Sequence, residues 1–168
     1  MTGANDEDLA LSRRAASGDG AAFALLVEKY ERPLRSFLVR LGGEDPDDVA
    51  QDAFLKAWRF AGQYDGRARY STWLTRIAWR CRIDAMRKGH APEFEAPSAD
   101  EPGEAAVVND MLARLSDNER AALILTAGHG WTNDEAAELL GLPLGTLKST
   151  VARAKGKCRQ LWSGSNDG

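Results

Sequence analysis

Residues 132–162 read TNDEAAELLGLPLGTLKSTVARAKGKCRQLW. Thr132 followed three residues later by Glu135 is a capping box, in which each side chain satisfies the other residue's backbone amide at a helix start. A short helix over Asn133 to Leu140 then meets Gly141-Leu142-Pro143, where glycine closes one helix and proline cannot continue it. A longer helix follows from about Leu144 to Trp162. Its residues Leu147, Val151, Ala154, Cys158 and Leu161 fall at spacings of 4, 3, 4 and 3, one apolar face. With Ala136, Ala137 and Leu140 packed on Leu147 and Val151, this is a helix-turn-helix pattern. Thr146, Lys148, Ser149, Arg153 and Lys157 then point outward, where hydroxyls and cations suit phosphates and base edges. No acid interrupts residues 141–162.

The net charge of -3 looks unsuited to a nucleic-acid binder until it is divided by segment. Residues 59–88 carry eight basic and two acidic groups, and residues 141–162 carry five basic and none acidic. These two basic islands lie in an otherwise acidic chain, and local charge is what sets an electrostatic footprint. Residues 89–104, GHAPEFEAPSADEPGE, hold three prolines and no Lys or Arg, the composition of a flexible acidic linker between two domains. A second capping box, Ser116 with Glu119, opens a helix beyond it.

Before the linker almost everything reads as helix, so the expectation is an all-α chain of two small domains, 1–88 and 105–168. A first helix is expected from about Asp6 to Ser17, ended by Gly18-Asp19-Gly20. A second, from about Ala21 to Leu41, has Phe23, Leu26, Val27, Tyr30, Leu34, Phe37, Leu38 and Leu41 at helical spacing, with Pro33 expected to kink or restart it. Asp45-Pro46-Asp47-Asp48 starts a third, running to about Phe60, because a carboxylate caps free amides and further acids oppose the positive end of the dipole. A loop over 61–70 carries Tyr64, Arg67, Arg69 and Tyr70. A helix from about Thr72 to Lys88 then buries Trp73, Leu74, Ile77, Ala78, Cys81 and Ala85, and shows Arg76, Trp79, Arg80, Ile83 and Arg87.

Composition also narrows the function classes. The apolar fraction of 43% is enough for a packed core. No apolar run is long enough for a membrane span and the acidic N-terminus is no signal peptide, so a cytoplasmic protein is expected. Cys81 and Cys158 show no metal spacing and are read as reduced core residues. Only two histidines occur, neither paired at ligand spacing, and no glycine loop cradles phosphate. Asp47, Asp48 and Asp52 lack a fourth convergent ligand. The expectation is therefore no enzyme, no cofactor and no metal.

Three segments, in order, resemble one family. Residues 132–162, and above all Gly145 to Ser149, resemble the promoter-binding C-terminal domain of sigma-70 family factors. DPDDVAQDAFLKAW, Asp45 to Trp58, resembles the helix by which those factors grip the clamp of RNA polymerase. RYSTWLTRIAWRCRIDAMRK, Arg69 to Lys88, resembles their helix facing the -10 promoter element. The order, the linker and the small size resemble the extracytoplasmic-function (ECF) subgroup, over about residues 8–88 and 105–162. The chain departs from the family at Thr150, where arginine usually follows the Lys-Ser pair, and at Lys155, where arginine is frequent.

The resemblance implies a division of labour. The last helix would read the -35 element through Thr146, Lys148, Ser149, Arg153 and Lys157. The melted -10 element would meet Tyr64, Tyr70 and Trp79 as stacking rings, with Arg67, Arg69, Arg76, Arg80 and Arg87 supplying charge. Tyr70 reads equally well as a core ring. Asp48, Gln51, Asp52 and Lys56 would contact core RNA polymerase, although the acids near Asp45 also serve the helix dipole. An anti-sigma factor is an implied partner. Two rival readings stay open on the residues alone: a free-standing helix-turn-helix regulator, and a sigma mimic that titrates an anti-sigma factor.

Overall fold

The computed structural model describes residues 2–43, 45–88 and 103–165, and among them the chain is helical with no strand. It divides into two compact units, one of Met1–Val39 with Gly43–Glu93, the other of Phe94–Gly168 with Arg40–Gly42. The linker expected over 89–104 lies, up to residue 102, outside the described residues.

The first unit holds α1 (Thr2–Ala16), α2 (Gly20–Leu41) as far as Val39, α3 (Pro46–Arg59), a 3-10 turn (Ala61–Gln63) and α4 (Tyr70–Arg87). Asp45 caps α3 as its sequence demands, its carboxylate accepting from the amides of Asp47 and Asp48 at 2.9 and 3.4 Å. Ala53 and Ala57 on α3 and Ala78 on α4 are completely buried, and their small side chains let the two helices pack closely. Leu26, Leu34, Phe37 and Leu38 supply the α2 side of the core.

Three expectations change here. α2 does not restart at Pro33, because the proline lies on the exposed face while Leu34, Phe37 and Leu38 hold the following turns on the core. α1 begins four residues earlier than expected, at Thr2. The buried face of α4 is rotated: Tyr70, Thr72, Leu74, Thr75, Ala78, Cys81 and Arg82 are buried, whereas Trp73, Ile77 and Ala85 are half-buried. Thr72, Thr75 and Arg82, polar residues that an apolar periodicity does not count, sit inside, the Arg82 guanidinium 5.5 Å from the Trp79 ring.

The second unit holds α5 (Glu104–Ala113), α6 (Asp117–Leu123), a π turn (Ile124–Gly128), α7 (Asn133–Leu140) and α8 (Leu144–Ser165). Both capping boxes are present. Gly141 takes a left-handed φ of 64°, with its amide donating to the Glu138 carbonyl and the Leu142 amide to the Ala137 carbonyl. That pair of bonds is a Schellman closure, and it starts the turn into α8. The buried Arg120 donates to the carbonyls of Leu112 and Leu115 at 2.8 and 3.0 Å, satisfying the C-terminal end of α5. Leu125, Ala136, Leu147 and Ala154 form the tightest part of this core. Both cysteines are free, but only Cys81 is buried; Cys158 is half-buried, a correction to its expected place. Burial raises both thiols, which keeps them protonated and unreactive.

Candidate nucleic-acid interface

On α8 the core stripe of Leu147, Thr150, Val151 and Ala154 fixes which face is left for solvent. Thr146, Lys148, Ser149 and Arg153 are exposed, as expected. Thr150 is buried, so the position where the family usually carries arginine faces inward here, and its hydroxyl accepts from Arg153 Nη2 at 3.3 Å. Lys157 is exposed as well, and its ammonium pairs with Glu119 of α6 at 2.8 Å, which fastens α8 to α6. Arg159, three turns after Lys148 on the same exposed face, was missed, though counting eleven residues along the helix finds it. Lys155 is also exposed.

Glu119 joins that fastening to the capping box, accepting from the Ser116 amide at 3.1 Å. Lys157 first, and the Ser116 amide second, hold its carboxyl below the ordinary value of 4.5. A depressed carboxyl stabilises the fold above its unfolded-state value and loses that contribution as pH falls through the folded one. Glu119→Gln should therefore destabilise the second unit at neutral pH by up to about 1 kcal/mol, the cost being limited by solvent at Lys157. Urea unfolding of variant and parent should converge as pH drops below 4.5.

In the first unit the segment from Tyr64 to Arg69 is a tight loop. The Asp65 carboxylate accepts the Arg67 amide at 3.0 Å, Gly66 between them has a φ of +78°, and the Arg67 side chain is 91% exposed. Arg69, Arg80 and Arg87 are exposed, while Arg76 and Trp79 are half-buried. Tyr64 requires a correction, whereas Tyr70 takes the core reading left open for it. Both are buried, at 4% and 1% exposure, so neither presents a ring face to a base. Their rings cross at 5.1 Å between centroids, and each lies 5.4 Å from Trp73. This aromatic cluster is the floor beneath the loop. Burial and the nearby Asp8 raise both phenols, Tyr64 to about 12, which keeps them neutral.

The exposed side of α3 carries Asp48, Gln51 and Asp52, and Lys56 is half-buried with its ammonium 3.5 Å from Asp84 of α4. Leu55 lies among them at 60% exposure. Its spacing from Asp48, Gln51 and Asp52 puts it on their face. Asp48, Asp52, Leu55 and Lys56 border an open groove of about 540 Å³ between α3 and α4, with Asp84 on the α4 side. Among the described residues no helix is long and apolar enough to cross a membrane, and no group of three or more His, Cys, Asp or Glu could hold a metal ion.

The family model described as Sigma-70 region 2 matches residues 26–91, and that described as Sigma-70, region 4 matches residues 106–158. The ECF RNA polymerase sigma factor SigM of Mycobacterium tuberculosis is 34% identical, over 90% of this chain and 83% of its own length. The chain belongs to the ECF sigma factors of the sigma-70 family. The ECF RNA polymerase sigma factor RpoE of Cereibacter sphaeroides is likewise 34% identical, over 86% of this sigma factor and 88% of the relative. Among solved structures, CnrH in complex with the cytosolic domain of CnrY is similar at a TM-score of 0.69 and 30% identity, covering 94% of this sigma factor and 98% of that chain. RpoE of Bartonella quintana, solved with the anti-sigma factor NepR, shares the fold at a TM-score of 0.71 over 84% of this chain and 96% of that one. The sigma factor is thus a transcription initiation factor, and the reading as a free-standing regulator is displaced.

Proposed function

We propose that this sigma factor lends core RNA polymerase its promoter choice through two basic faces of an otherwise acidic protein, working in the cytoplasm and catalysing no reaction of its own. Residues 1–88 act as the unit for the polymerase clamp and the -10 element, residues 105–168 as the unit for the -35 element, and 89–104 as their tether. The observation that carries this reading is the exposed, acid-free face of α8, bearing Thr146, Lys148, Ser149, Arg153 and Arg159. That face reads the -35 duplex, with phosphate contacts setting affinity and base edges setting sequence. Arg67, Arg69, Arg76, Arg80 and Arg87, with the half-buried Trp79 as a stacking ring, hold the melted -10 strand. Asp48, Gln51, Asp52 and Lys56, joined by Leu55, dock α3 on the polymerase.

A net charge of -3 leaves the isolated chain with little sequence-independent affinity for DNA, so tight binding requires the polymerase to hold both faces on one promoter. The CnrH and RpoE structures each contain a second protein, CnrY and the anti-sigma factor NepR. By that likeness an anti-sigma factor keeps this protein inactive until released. Transcription in vitro with core polymerase and genomic fragments tests the proposal. Initiation at a subset of templates is expected, and no product from any template would overturn it.

A further inference from the structure

The -10 loop is held from below by a helix that lies outside the matched family segments. One face of α1, made by Asn5, Leu9, Ser12 and Ala16, runs along it. Asn5 Nδ2 donates to the Gly66 carbonyl at 2.6 Å. The Tyr64 hydroxyl lies 2.7 Å from Asn5 Oδ1 and 2.8 Å from the Ala68 carbonyl, so its single proton serves either acceptor. Ser12 is completely buried and donates to the Ala61 carbonyl at 3.0 Å. A Cβ at Gly66 would come within 2.9 Å of Leu9 Cδ2, which shows how closely α1 and the loop approach.

These bonds share one property: apart from the tyrosine hydroxyl, every loop group they engage is a main-chain carbonyl. They constrain the path of the backbone and leave Arg67 and Arg69 exposed. An isolated loop of this length would sample many conformations, and ordering it at the moment of DNA binding would cost affinity. Side chains on a rigid helix can meet that cost during folding instead.

We infer that α1 is a positioning element for promoter reading, in which Asn5, assisted by Ser12, fixes the loop so that Arg67 and Arg69 stand ready for the melted -10 strand. The inference rests on the reading of that loop as the -10 contact. Neither Asn5 nor Ser12 touches DNA in this role; each acts through the loop backbone.

The test compares Asn5→Ala, Arg67→Ala and the double variant as holoenzymes, on templates with the best -10 sequence and with single-base changes in it. Asn5→Ala should bind core polymerase as the parent does, reduce opening of the best template about tenfold, and flatten the ratio between best and altered templates. A merely destabilised protein would lower opening on all templates alike and leave that ratio intact. In the Arg67→Ala background the Asn5 substitution should add little, because its effect passes through the loop that Arg67 occupies. Ser12→Ala should move the ratio in the same direction by a smaller factor. An unchanged ratio, or full additivity with Arg67→Ala, would overturn the inference. If the parent holoenzyme opened no template, the underlying reading of the loop would fail instead, and that outcome is visible before any variant is made.

Discussion

Tyr70→Ala should unfold the first unit under conditions where the parent is folded, with a loss of about 3–5 kcal/mol in urea unfolding. Tyr70 is 1% exposed, and its ring meets those of Tyr30, Tyr64 and Trp73 at centroid distances of 5.2, 5.1 and 5.4 Å. Removing it leaves a cavity beneath the loop and deprives three rings of a neighbour, and a dense aromatic cluster relaxes only partly around such a gap. The informative companion is Tyr70→Phe. The hydroxyl is buried without a hydrogen-bond partner among the described residues, so it was stripped of water with nothing in return. Its loss should leave stability unchanged or raised by about 1 kcal/mol. Promoter opening by the phenylalanine variant should match the parent. A stacking ring that also needed its hydroxyl for a base would predict impaired opening at normal stability.

Leu55→Asp should weaken the complex with core polymerase by thirtyfold or more, roughly 2 kcal/mol, while leaving thermal unfolding unchanged. The side chain is 60% exposed, so its replacement forfeits almost no packing within the unit. It stands one turn beyond Gln51 and Asp52 on the same face, at the edge of the groove, an apolar side chain beside polar ones. An added carboxylate there would be buried unpaired on docking and would repel the neighbouring acids. Gel filtration or fluorescence titration with core polymerase measures the loss. Binding equal to the parent would remove α3 from the docking surface. Leu55→Ala, with a smaller loss, separates the missing apolar contact from the charge that the aspartate adds.

How far each feature could be read from residue order follows the distance over which it is made. The caps at Asp45, Ser116 and Thr132 join residues two or three apart, and their chemistry is complete within one turn of chain. The glycine closure at Gly141 and the outward cations of α8 are equally local, since a 3.6-residue period and one unbroken apolar stripe determine them. Hence the helix-turn-helix, the two basic islands and the family could all be recognised without coordinates.

The features that residue order did not show have the opposite property. Lys157 meets a partner 38 positions away, the Asn5 bond to the loop spans 61 positions, and Tyr64 and Tyr70 are covered by rings from α2 and α4. Local order thus dictated which segments become helices, where they stop and where positive charge gathers. Burial is a property of surfaces that meet only after folding, so the side chains left facing DNA, and the helix that holds the loop toward it, were settled by packing between distant segments.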